Sequence, residues 1–261
     1  MAEGRTGAPT EDVARYALRL GDDALVLAQR LGEWPSWAPD LEEDIALTNI
    51  ALDLLGQARQ LLTYAGSYDG RTEDDLAYLR PEREFTNVCL VELPSGDFAV
   101  TVVRQLFFSA YQGLLYRELA RSADATLAGV AARAVKEVAY HLDHAVQWTL
   151  RLGDGTDESR RRIEAALTAL WPYAGELFEP DPLTDRLAAT GIGVDSARLG
   201  PEWTDQLGAV LGEATLAMPK LSDPDAPRSR LAAGRRGLHT EAFGHLLAEM
   251  QLLRRSYPDA E

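Results

Sequence analysis

Apolar residues recur at three- and four-residue intervals along almost the whole chain, and no run alternates as a half-buried strand would. Caps and stops cut that pattern into helices. The first spans about 11–34, with Thr10 as N-cap and acids in its first turn. The second spans about 41–65: Asp40 caps it, Glu43 stands at the capping-box position and Gly66 ends it. Two further long helices fall at about 98–121 and 125–152, the latter between Asp124 as cap and Gly153 as stop. A linking segment, 67–96, carries one short helix around 83–92. Shorter helices follow at about 158–178, 201–218 and 240–257, separated by a Pro- and Gly-rich loop at 179–200 and by the loop LSDPDAPRSRLAAGRRG. Four long helices in succession predict an all-α fold, a four-helix bundle with additional C-terminal helices. It forms a single domain over 11–258 behind a tail at 1–10.

Two of the helices carry more than packing residues. ALTNIALDLLGQARQLL is apolar nearly all round, which predicts a buried helix, and Asn49, Asp53 and Gln57 form a stripe along it. In VKEVAYHLDHAVQW and its flanks, Arg133, Lys136, Asp143, Gln147 and Arg151 share the outer face. Glu137 and His141 instead share a stripe with Leu127, Val130, Ala134, Ala145 and Trp148, and so point inward. An interior carboxylate needs a partner, and His141, one turn on, predicts a Glu137–His141 pair. Glu241 and His245 repeat the spacing on the last helix and predict a second ion pair, buried or half-buried.

Composition narrows the function classes. The 261 residues are 46% hydrophobic, enough for a substantial core. A net charge of −15 argues against a nucleic-acid partner, which would require a positive footprint. The apolar runs are too short and too often interrupted by charge to cross a membrane, and the N-terminus has no signal core. Cys89 is the sole cysteine, which excludes a disulfide framework and a thiolate metal cluster and suits a reducing cytoplasm. Basic residues are nearly all arginine, clustered at 160–162, at Arg228, Arg230, Arg235 and Arg236, and at 254–255. Each cluster reads first as a solvated helix face or terminus; the alternative is a phosphate or carboxylate on a partner.

Inward carboxylates and a histidine in a long bundle raise the question of a di-iron site. Such a site takes a glutamate from each of two helices and a Glu-x-x-His pair from each of the other two. The residues three before the four histidines are Val138, His141, Arg236 and Ala242, so no acid-x-x-His pair exists. Gly56 follows Asp53 by three, and the 98–121 helix has no carboxylate before Glu118. Asp22 and Asp23 are available on the first helix. The ligand set is therefore incomplete, and the sequence also lacks a phosphate-cradling glycine loop and a nucleophile elbow.

The segments YALRLGDDALVLAQRLGEW, DIALTNIALDLLGQAR, VELPSGDFAVTVVRQLFFSAY, VKEVAYHLDHAVQWTLRLGDGTD and RRGLHTEAFGHLLAEMQLLRR resemble the C-subunit family of ring-1,2-phenylacetyl-CoA epoxidase, the multicomponent oxygenase of bacterial phenylacetate degradation. The resemblance covers about 13–257. It implies a ferritin-like fold and a structural paralogue of the catalytic A subunit, which carries the di-iron site. It also implies a hetero-oligomer, a heterotetramer or larger, with NADPH electrons delivered by a separate reductase subunit bearing flavin and an iron–sulfur centre. This chain would hold no catalytic, cofactor-binding or metal residues of its own. Asp22, Asp53, Glu137 and His141 would be the remains of a ligand set, and Arg228, Arg230, Arg235 and Arg236 could touch CoA phosphates or the partner. Two rival readings stand beside it. One is a ferritin-like metal-binding oxidoreductase with an atypical site from Glu137, His141, Glu241 and His245. The other is a free-standing helical interaction protein.

Overall fold

The computed structural model describes residues 7–219 and 233–257. Two helical hairpins form the bundle. In the first, α1 (Glu11–Leu31) and α2 (Leu41–Gly66) lie side by side; in the second, α4 (Phe98–Leu119) pairs with α5 (Ala125–Gly153). Their starts are set locally. The side chains of Thr10, Asp40, Asp97 and Asp124 accept from backbone N–H groups of the first turns, which have no partner within the helix. The expected capping-box role of Glu43 is not observed, because its carboxylate reaches across to His144 of α5 instead. Helices α1 and α2 meet closely at Gly21, where a Cβ would come within 2.8 Å of Leu62 Cδ2.

Outside the bundle, α6 (Asp157–Ala174) and α8 (Gly200–Glu213) cover α4 and α5. Phe107, Trp171, Phe178 and Trp203 interlock there, and the Trp203 indole donates to the Phe107 carbonyl at 2.9 Å. The predicted helix at 158–178 loosens into a 3₁₀ turn after Ala174, two residues past Pro172. The stretch read as loop holds α7 (Pro182–Ala189), which Asp181 caps with a Pro at its first position.

The linking segment is not one helix around 83–92. It is a π-helical turn (Asp75–Leu79), a 3₁₀ turn (Glu82–Glu84) and α3 (Cys89–Glu92). Pro81 breaks the run, and extended residues at 85–88 point their backbone groups at α1. The last helix, α9 (Glu241–Ser256), packs on this segment and α1. The stretch of chain that leads into it lies so close to 83–89 that a Cβ at Gly234 would sit 2.0 Å from the Asn87 carbonyl oxygen. Gly237 is equally constrained, with φ +70° and a Cβ position 2.3 Å from the Arg83 carbonyl oxygen. The described residues contain no strand, and the architecture is the expected all-α one. No described helix is long and apolar enough to cross a membrane.

One expectation fails on α2. It is not buried all round: Leu41, Ile45, Leu52 and Leu55 are exposed on the side away from α1. An all-round apolar helix needs cover on every face, and among the described residues α2 is covered by α1, by part of α5 and by the Asp75–Leu79 turn.

Candidate functional site

The polar interior falls into two layers. The first runs along the seam between α2 and α5. Glu137 points inward, but it does not pair with His141. It accepts a bond from Gln57 Nε2 at 2.9 Å; Gln57 Oε1 in turn accepts from Gln112 of α4 at 3.1 Å, and Gln112 also donates to the Tyr116 hydroxyl. His141 is buried and meets Asp53 of α2 at 3.1 Å, while His144 meets Glu43 at 2.7 Å. The i,i+4 pairing fails because α2 presents polar groups at the same levels, and cross-helix partners take both side chains. Burial holds the His141 imidazole below its usual pKa of 6.5, against the pull of Asp53. Asp53 itself is 36% exposed at its side chain, at the mouth of the seam and outside the bundle centre.

The second layer surrounds α1 where the linking segment and the 233–240 segment cross it. Asp22 is fully buried and bound by the Arg80 guanidinium, by the Thr86 N–H at 2.9 Å and by the Thr86 hydroxyl at 3.1 Å. Asp23 accepts from Arg235 at 2.6 and 3.1 Å and from the Val88 N–H at 2.8 Å. Burial disfavours the Arg235 cation, but facing Asp23 outweighs it and raises the pKa above its ordinary value. Glu92 accepts from Asn87 at 2.8 Å, from His239 Nδ1 at 2.7 Å and from the Thr240 N–H at 2.6 Å. Arg30 donates to the Glu92 carbonyl, and Glu176 accepts from the Cys89 and Arg235 N–H groups.

Arg30, Arg80 and Arg104 are buried, and Arg235 is largely covered. Sequence reasoning, which reads arginines as solvated, misses them; the only local signal is that Arg30 and Arg104 interrupt apolar stretches. Burial pushes the Arg104 guanidinium down to about 10, and it is held by the Leu93 carbonyl and Thr101 in place of a carboxylate. Arg235 is thus a core residue and is unavailable to CoA. Arg236 is exposed, while Arg228 and Arg230 lie outside the described residues. On α9, Glu241 and His245 are both exposed and form no ion pair with each other, because neither lies on the stripe of Phe243, Leu246 and Leu247 that faces the core.

The four candidate residues are therefore not brought together. Asp22 belongs to the Arg80 layer, Asp53 and His141 to one seam pair, and Glu137 to the glutamine chain. Among the described residues no group of three or more His, Cys, Asp or Glu side chains converges as a metal site would require. Guanidinium groups pair with Asp22 and Asp23, and imidazole and amide donors hold Asp53 and Glu137, where a di-iron centre would place cations, so the residues do not fit such a centre. The rival site from Glu137, His141, Glu241 and His245 is excluded in the same way: α9 packs against α1 and the linking segment, and its two residues face solvent.

The pair of His239 and Glu92 predicts a pH dependence. Burial lowers the His239 pKa, but Glu92 and the Phe85 carbonyl overcome this and leave it above 6.5. A raised folded value means the pairing stabilises fully below about pH 6.5 and is lost as pH rises through the folded value. In thermal melts, His239→Gln should therefore lower Tm more at pH 6 than at pH 8.5. An equal loss at both values would contradict the charged pair.

A polar-lined four-helix bundle with helices packed on one side defines the class of ferritin-like helical proteins. Residues 2–261 match the family model described as "Phenylacetic acid catabolic protein", and the chain belongs to that family. It is 46% identical over 244 residues to the C subunit of the 1,2-phenylacetyl-CoA epoxidase of Escherichia coli (strain K12), covering 93% of this chain and 96% of that protein.

Proposed function

We propose that this chain is the non-catalytic structural subunit of a multicomponent oxygenase that epoxidises the aromatic ring of phenylacetyl-CoA in cytoplasmic phenylacetate catabolism. It binds and supports a catalytic A subunit that carries the di-iron centre, in a heterotetramer or larger assembly. Reducing equivalents from NADPH reach that subunit through a separate reductase with flavin and iron–sulfur groups.

The near-full-length likeness to the C subunit of an epoxidase supports the place in the complex. The observation that carries the structural role is the state of the interior carboxylates. Asp22, Asp23, Asp53 and Glu137 are each satisfied by Arg80, Arg235, His141 and Gln57, and no three metal-ligating side chains converge among the described residues. A bundle that keeps such polar positions but fills them with internal partners gains a rigid core and frees its outer helix faces for assembly. The test is metal analysis of the subunits separated from a co-purified complex. The reading requires the iron to belong to the partner; stoichiometric iron on this chain would overturn it.

A further inference from the structure

Tyr16 of α1 and Tyr111 of α4 both border a small cavity beside Arg235. Its volume is about 20 Å³, and Glu176, Ser196 and Arg19 contribute to its wall. Four segments meet there: α1, α4, the 3₁₀ turn Gly175–Phe178 and the 3₁₀ turn Ser196–Leu199. Size limits what the cavity takes. One water molecule needs about 10–15 Å³ of such space, so there is room for one and no more. Apolar cavities stay dry, whereas polar ones of this size hold water.

The polar groups of the wall are not fully paired. The Tyr16 hydroxyl accepts from the Val194 N–H at 3.3 Å, and no acceptor for its own proton is found among the described residues. The Tyr111 hydroxyl lies toward Ser196 and the Arg235 guanidinium. Both tyrosines are buried, and burial raises both phenols above their ordinary pKa, so each keeps a proton to donate. Glu176, also buried, accepts from the Cys89 N–H at 2.7 Å and from the Arg235 N–H at 3.2 Å. A carboxylate offers about four acceptor positions, so Glu176 retains capacity. The neighbouring cations are already matched, Arg19 by Asp181 at 2.5 Å and Arg235 by Asp23 at 2.6 Å. Glu176 then adds a further negative group, which disfavours a bound anion. No metal-ligating cluster converges here among the described residues. The wall therefore selects a neutral ligand that both donates and accepts.

We propose that this cavity is a binding site for one internal water molecule. The water accepts from the Tyr16 hydroxyl, donates to the Glu176 carboxylate and makes its third bond with the Tyr111 hydroxyl. Buried waters make about three such bonds. The ligand thus joins α1 and α4 to the turn that follows α6. Together with the Val194 N–H on Tyr16, it fastens the stretch before Ser196 to α1. The site stands independently of the subunit reading, because only residues of this chain build it.

The experiment pairs a crystal structure of the full chain, at a resolution that orders internal solvent, with water relaxation dispersion in solution. Wild-type crystals should show one water within about 3.2 Å of the Tyr16 hydroxyl and of a Glu176 carboxylate oxygen. A chain of 261 residues holds on the order of ten buried waters, so the solution measurement is read as a difference between variants. Ser196→Leu puts an apolar side chain into the space and should remove one long-lived water from the dispersion amplitude. Tyr16→Phe removes the donor and should shorten the residence time of one water. A dry cavity in the wild-type crystal overturns the proposal even if neither variant folds. A peak that gains anomalous signal after bromide exchange assigns the site to an anion and overturns it as well. Equal amplitudes for wild type and a folded Ser196→Leu would show that water there exchanges freely with bulk, which makes the space a surface recess and again defeats the proposal.

Discussion

Replacing Arg235 with methionine is expected to destabilise the fold by about 3–5 kcal/mol, because it leaves the Asp23 carboxylate buried without its counter-charge. Asp23 is 2% exposed and would retain only the Val88 N–H, at 2.8 Å. The Arg235 guanidinium also ties the 233–240 segment to α1 and the linking segment, donating to the Arg19 carbonyl at 3.3 Å and the Thr86 carbonyl at 2.9 Å. Its loss therefore loosens the segment that delivers α9. The double variant Arg235→Met/Asp23→Leu removes both charges and should recover a large part of the loss. Urea denaturation of both single variants, Arg235→Met and Asp23→Leu, and of the double variant decides the matter. A single-variant loss under about 1 kcal/mol would show the pair to be solvated, and a double variant as unstable as the summed single changes would show the two residues to be uncoupled.

The second large effect is expected at Asp22. Asp22→Leu should cost about 3–5 kcal/mol, since it leaves the Arg80 guanidinium uncompensated in the core. The Arg80 side chain is 2% exposed and Asp22 is fully enclosed. Arg80 would keep the Glu84 carbonyl at 2.9 Å and its place over the Phe85 ring at 4.0 Å, but no anion. Thr86 would lose the acceptor of both its N–H and its hydroxyl. The damage should concentrate in the linking segment and spread to α9, because Gln251 holds the Ala77 and Arg80 carbonyls at 3.0 Å each. Limited proteolysis should therefore cut first within 67–96, and α2 and α5 should remain intact. First cuts in the α4–α5 hairpin would mean that Asp22 supports the bundle as a whole.

The long helices are legible in the sequence because their boundaries are local. Thr10, Asp40 and Asp124 cap from within three residues, and the interior stripe of α5 follows from its period. The side-chain partners are not local. Glu137 and His141 are one turn apart, yet Gln57 and Asp53, about eighty residues earlier, claim them. Asp23 and Arg235 lie 212 residues apart, and nothing in the loop around Arg235 reveals that it enters the core. The stretch at 85–88 reads as helix in the sequence but is extended, because its backbone donors go to Asp22 and Asp23 of α1, which are tertiary partners. The all-round apolar character of α2 is visible from the sequence, but which face the chain itself would cover is not.

The distribution of iron in the assembled oxygenase tests the central claim most directly. The claim is that this chain lends structure and the partner lends the metal. A co-purified complex bearing Asp53→Asn, Glu137→Gln and His141→Gln in this chain should keep the iron content of the wild-type complex and epoxidise phenylacetyl-CoA within about threefold of its rate, because each of those side chains is held by a partner within this chain. Iron bound stoichiometrically to this chain alone, and lost from the complex together with activity in the triple variant, would contradict the claim.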